Sequence, residues 1–241
     1  AMVPVIALGA LALVAGFWER PYERRLIHWG TRLHDDFMLH HHVQQDFREV
    51  LEETAGLGFP LDPAWFAPHL EFRFPKVGSI AVRDMALELR HALEPWHVLG
   101  EETSAAGTTR YVDSSVERLQ ARVTGWTPER FVLACNGAVV PLAPTGTEGD
   151  YVAGVRFKAW DPPSALHPTI RAQAPLVFDI WDSWSGRSLG GATHQVAHPG
   201  GRNYQTVPVN ANEAEARRRT LFLPFGHTPG HMAFQLESDG K

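Results

Sequence analysis

Two Glu-x-Arg steps stand close together in the chain, Glu71 with Arg73 and Glu88 with Arg90. A carboxylate binds a hard cation such as Mg2+ through oxygen, and a guanidinium clamps phosphate or carboxylate through parallel N–H bonds. In a strand, residues two apart share a face. Read as a hairpin with its turn near Pro75 to Ser79, the stretch LEFRFPKVGSIAVRDMALELRHALEPW puts Leu70, Phe72, Phe74, Leu87 and Leu89 on a face that packs on helices. Glu71, Arg73, Glu88 and Arg90 then share the opposite face. Two readings follow from that face: solvated cross-strand ion pairs, or one wall of a site for a polyphosphate and its metal.

Histidines crowd the same region, with His28, His34, His40, His41, His42, His69, His91 and His97 in the first hundred residues. His28, Asp35 and Asp36 are candidates for further ligands or substrate contacts, but the spacing matches no zinc signature. The triplet His40 to His42 points in several directions at once and reads as surface. Cys135, the lone cysteine, lies in an apolar strand with no activating histidine nearby and reads as an inert thiol. GRSLGG, residues 186 to 191, lacks the Gly-Lys-Ser/Thr ending of a phosphate loop and reads as a turn. In HPGGRNYQT, His198, Arg202 and Asn203 flank a glycine pair, which reads either as a tight turn or as a polar ligand loop.

The elements that position these residues divide the chain. An uncharged run of 17 residues, Met2 to Trp18, lacks the basic flank of a signal peptide, and its alanines and glycines favour a buried helix over a membrane span. Val43, Phe47, Val50 and Leu51 recur at helical spacing until Gly56 and Gly58. ETSAAGTT, around residues 101 to 109, reads as a linker. Beyond it come short alternating runs, with Asn136-Gly137 as a hairpin turn, and one helix in NANEAEARRRTLF capped by Asn210 or Asn212. The fold class is α+β: N-terminal helices with an antiparallel hairpin in residues 1–100, then a mainly antiparallel β-sandwich in residues 110–235. With 241 residues, 44% hydrophobic content and a net charge of -5 spread over both signs, the chain supports a packed core and has no basic tract for nucleic acid. The cysteine usage suits a reducing cytoplasm.

The runs HWGTRLHDDFML, DPAWFAPHLEFRFP, LELRHALEPWHVLGEE, RYVDSSVERLQ, PLVFDIWDSW, HQVAHPGGRNY, NEAEARR and PFGHTPG, spread over residues 18 to 232, resemble the C-terminal part of a family of large bacterial proteins. Those proteins begin with a transglutaminase-like domain and continue into an amidoligase region related to the glutamine synthetase and glutamate-cysteine ligase class. The resemblance implies ATP and Mg2+ as cofactors, a small-molecule or peptide substrate supplying a carboxylate and an amine, and an acyl-phosphate route to the amide. It implies that Glu88, and second Glu71, bind metal, and that Arg90, and second Arg73, contact phosphate or substrate, with His28 as a further nucleotide contact. The upstream strands with the other metal-binding glutamates are expected outside this chain, as is the transglutaminase-like cysteine, so the chain would hold the end of the site and be inactive alone. A reading of another class is a non-catalytic sandwich that binds a peptide or glycan through Trp126, Trp160, Trp181 and Trp184.

Overall fold

The computed structural model describes residues 2–23, 25, 27–28, 30–31, 37–159 and 171–228. His34, Asp35, Asp36 and Trp160 lie outside them. The N-terminal run forms helix α1, Met2–Glu19, but only one side of it is covered. Ala12 and Gly16 are buried, while Ile6, Leu8, Leu11, Val14 and Trp18 are exposed, so the expectation of a buried helix holds for one face only. Small residues make the covered side: a Cβ on Gly16 would sit 2.6 Å from Leu57 Cδ1. Among the described residues no helix is long and apolar enough to cross a membrane.

Helix α2, His40–Gly56, packs Phe47 edge-on to Phe66 at 4.9 Å and buries Leu51. The chain stops there and turns through Gly58 at a positive φ of 96°. Asp62 caps a 3-10 turn, Pro63–Trp65, by accepting from Ala64 N–H at 2.8 Å, and helix α3, Ala67–Arg73, follows. Glu71 and Arg73 are therefore helical, which corrects the strand expected for them. Pro68 sits in the first turn of α3, where its missing N–H costs nothing, and Phe74 leaves the helix to become buried. The hairpin itself is shorter and later than expected: β1, Lys76–Val82, turns at Arg83 and Asp84 into β2, Met85–Ala92.

The remaining strands are β3 Val98–Ser104, β4 Gly107–Val112, β5 Val116–Thr124, β6 Phe131–Cys135, β7 Ala138–Val139, β8 Ala143–Pro144, β9 Tyr151–Lys158, β10 Leu176–Asp182, β11 Arg187–His194 and β12 Phe222–Leu223, with helix α4, Ala211–Arg219, before the last. They form two five-stranded antiparallel sheets, in the orders β1-β2-β5-β9-β8 and β12-β11-β10-β6-β7. Leu87, Leu89, Leu119 and Val123 from the first sheet meet Leu133, Phe178 and Ile180 from the second in one apolar core, so the fold is α+β with an antiparallel sandwich.

Pairing crosses the boundary suggested by composition. β2 is bonded to β5 from Ala86↔Thr124 to Ala92↔Arg118, which makes the hairpin part of the sandwich. The stretch expected as a linker is the exposed two-stranded ribbon β3–β4. Asn136 and Gly137 take positive φ of 50° and 84° and turn β6 into β7, as the Asn-Gly pair requires. GRSLGG opens β11 rather than forming a turn throughout. At Gly191 an added Cβ would lie 1.9 Å from the Phe178 carbonyl oxygen. Gly191→Ala should therefore cost about 3 kcal/mol, since backbone cannot give way as a side chain can. Urea unfolding measures it; an unchanged midpoint would mean that β10 and β11 are farther apart.

Candidate functional site

Alternation in β2 sends Leu87 and Leu89 into the core and Glu88 and Arg90 to the opposite face. That face meets solvent only in part. The segment leading into α2 lies across it: Leu93 N–H donates to Met38 O at 2.9 Å and His41 N–H to Gln120 Oε1 at 2.8 Å. The helices thus cover the polar face while the apolar face meets the other sheet, the reverse of the arrangement expected from the sequence. Charges under that cover are matched in pairs. Arg118 Nε donates to Glu94 at 2.8 Å, Arg156 reaches the same carboxylate at 2.8 Å, and Arg122 forms a two-pronged pair with Asp150. The bond from Arg122 holds the Asp150 carboxyl below the usual carboxylate range, and Asp150 in turn raises Arg122.

Three of the residues marked by the Glu-x-Arg steps converge on this face. Arg90 Nε donates to Glu88 Oε1 at 2.8 Å, and its Nη1 donates to Glu71 Oε2 at 2.6 Å and to Phe74 O at 3.0 Å. Lys76 adds its backbone N–H to Glu71 Oε1 at 2.9 Å and its ammonium to Glu88 Oε2 at 3.0 Å. Burial pushes both glutamates up, but Lys76 and Arg90 outweigh it and hold their carboxyls below the ordinary range. Burial likewise opposes the Arg90 charge, and its bonds to the two glutamates raise it nonetheless. Helix α3 brings Glu71 to the cluster from outside the sheet. Arg73 and His28 are not brought in: Arg73 is exposed at the end of α3, and His28 is exposed ahead of α2.

As a metal cage the two glutamates fit poorly. Each of their four oxygens already faces an N–H or an ammonium of Arg90 or Lys76. Among the described residues no group of three or more His, Cys, Asp or Glu gathers to hold an ion. The cluster is better suited to hold cations in place for an anion. Arg218 extends it, with Nη2 at 3.9 Å from Glu71 Oε1 and Nε donating to Lys76 O at 3.4 Å.

From Arg218 the surface opens into a cavity of about 580 Å3 lined by His198, Arg202, Asn203, Tyr204, Arg217 and Arg218. Helix α4 supplies the two adjacent arginines. Asn210 caps it through Glu213 N–H at 2.9 Å, and Glu213 accepts from Val209 N–H at 2.7 Å and pairs with Arg217 one turn on. Arg217 also stacks on Tyr204 at 4.1 Å. The HPGGRNYQT loop is thus a cavity wall as well as a turn. A scan against family models matches residues 2–241 to the putative amidoligase enzyme family, DUF2126. The chain belongs to that family. No curated protein and no solved structure matches it significantly.

Reading the amidoligase-family chain from sequence misses Lys76, Arg218 and His40. Lys76 lies in no motif and Arg218 only at the end of the NEAEARR run, and only folding brings them to Glu71. His40, expected at the surface with the rest of the triplet, is buried with its ring 5.8 Å from Phe74, and burial, aided by the Arg90 charge, lowers it to about 4. Cys135 behaves as its strand context suggests, with burial pushing the thiol up to about 12.

Two more histidines, half-buried His91 and buried His194, face each other at 5.8 Å, and desolvation lowers both to about 4. Between pH 6.5 and about 4 the unfolded chain therefore binds protons that the folded chain does not, so stability falls as pH falls through that window. Each histidine contributes roughly 1–3 kcal/mol across it. Glu71, Glu88 and Asp150, held low, add a further loss as pH drops below the ordinary carboxylate range. Urea unfolding at pH 7 and pH 5 should show the loss, and His91→Phe should flatten the slope. A pH-independent unfolding free energy would contradict the desolvation of these three rings.

Proposed function

We propose that this chain forms the anion-binding wall of an ATP-dependent amidoligase that joins a carboxylate to an amine through an acyl-phosphate. One observation carries the reading within the family: Arg90, Lys76 and Arg218 converge around Glu71, and Arg218 faces a cavity that also holds Arg202 and Arg217. Negative charge gathers on the transferring phosphoryl oxygens in such a reaction, and fixed guanidiniums stabilise it without reorganising. Glu71 and Glu88 serve here as the groups that fix Arg90 and Lys76. Arg218 and Arg202 would bind the phosphate or substrate carboxylate bidentately.

ATP with Mg2+ would supply the phosphoryl group and its charge neutralisation. Since the glutamates on this wall are already paired, the metal ligands in this reading come from strands elsewhere in a glutamine synthetase-like parent that also carries a transglutaminase-like domain. A cytoplasmic setting, where ATP is available and the single thiol stays reduced, suits this reading. The alternative of a tryptophan-based binding face has less support. Trp126 is buried in the sandwich core, Trp181 packs beside His227 on the outer face of the second sheet, away from Trp126, and exposed Trp184 lies under the Arg130 guanidinium at 4.8 Å.

The test is ADP release by the full-length protein supplied with amino acids and peptides. Arg218→Gln and Arg90→Lys should each lower turnover at least tenfold while the protein stays folded, as expected when a donor to a developing anion is removed. Turnover equal to that of the unaltered protein in both folded variants would remove this wall from the mechanism. Glu88→Gln should lower turnover less than Arg90→Lys, because it weakens the support and leaves the guanidinium in place.

A further inference from the structure

The outer face of the second sheet carries a polar constellation that no part of the proposed ligase site uses. In β10, Phe178 and Ile180 enter the core, and Asp179 points the other way yet is fully buried. What buries it is the segment Phe225–Gly226–His227–Thr228. That crossing depends on two glycines: a Cβ on Gly226 would lie 2.3 Å from Phe178 O, and one on Gly191 would lie 2.8 Å from Gly226 O. Thr193 Oγ1 ties the segment down by donating to Phe225 O at 2.7 Å.

The crossing delivers a histidine to the carboxylate. His227 Nδ1 is 3.0 Å from Asp179 Oδ2, which also accepts from Thr228 N–H at 3.2 Å, while Ser188 Oγ donates to Oδ1. In the neutral imidazole, a fully buried carboxylate acceptor selects the tautomer with the proton on Nδ1 and leaves Nε2 as an acceptor. The His227 side chain is 42% exposed and opens on a groove of about 670 Å3, together with Trp181, Arg187, Ser188, Leu189 and Phe225. An acceptor nitrogen, an exposed guanidinium and aromatic walls thus line one groove.

We propose that this groove binds the carboxyl end of a peptide or N-acylated amino acid. The carboxylate pairs with Arg187, the adjacent amide N–H donates to His227 Nε2, and the side chain lies against Trp181 and Phe225. Both recognition groups of the ligand are then met, one by a cation and one by an acceptor whose tautomer is fixed from below. The site stands independently of the ligase reading, since it lies on the other sheet.

N-acetyl-phenylalanine and its C-terminal amide are the probes, titrated calorimetrically into the full chain. The acid should bind with a millimolar or lower Kd and at least tenfold more tightly than the amide. Arg187→Gln should erase that preference, and His227→Gln should weaken the acid at least fivefold. Nitrogen-15 spectra of the unliganded protein should show the His227 proton on Nδ1. No saturation by the acid up to about 10 mM, equal binding of acid and amide, or a His227 proton on Nε2 would each overturn the proposal.

Discussion

The fold depends on neutralising a charged sheet face that it has chosen to cover. β2 and β5 present Arg90, Arg118 and Arg122 away from the sandwich core, and the start of α2 closes over them. A buried guanidinium without a partner is strongly unfavourable, and removing one member of such a pair typically costs about 3–5 kcal/mol. Glu71, Glu88, Glu94 and Asp150 supply the partners, from helix α3, β2 itself, the loop after β2 and the turn before β9. The ion pairs therefore fix where α3, the β2–β3 loop and the β8–β9 turn sit relative to the sheet. Everything built on that face inherits its position from them.

The same requirement explains why the Glu-x-Arg steps look like a site and act first as a brace. Arg90 is bonded from three sides, which removes its freedom and sets its charge in place. A rigid cation of this kind is what an anion-binding wall needs, since catalytic electrostatics depends on dipoles and charges that do not have to reorganise. Structural pairing and a functional role are thus compatible at Arg90, and Arg218 carries the charge from the brace to the cavity. The second sheet repeats the logic with one group: buried Asp179 is satisfied by Ser188, Thr228 and His227, and the satisfaction orients His227.

Local patterns were legible where the chemistry is local. The Asn136-Gly137 turn, the Asn210 cap and the inert Cys135 all rest on residues within a few positions of one another. Misreadings arose where a short segment suits more than one partner. Alternation in LEFRF fits a strand, but it is short enough for a helix turn to compete, and Pro68 with the Asp62-capped turn before it decides for α3. The polar stretch at 101–109 has linker composition because the β3–β4 ribbon is exposed on both sides and has no core face to reveal it. His40 looked like surface because burial of one histidine in a triplet depends on Phe74 and the sheet beneath it.

The sequence by itself determined the two-face character of β2, the Asn136-Gly137 turn, the Asn210 cap, the α+β class and the pair Glu88 and Arg90. These follow from periodicities and short-range hydrogen bonding, which act within a few residues. Only the tertiary structure decided that the polar face of the first sheet would be the covered one, that Glu71 would arrive from a helix, and that Lys76 and Arg218 would join it. It also decided that His227 would meet Asp179, 48 positions away in the chain. Such meetings depend on which faces pack and how closely backbones approach at Gly191 and Gly226, and no local pattern encodes that geometry.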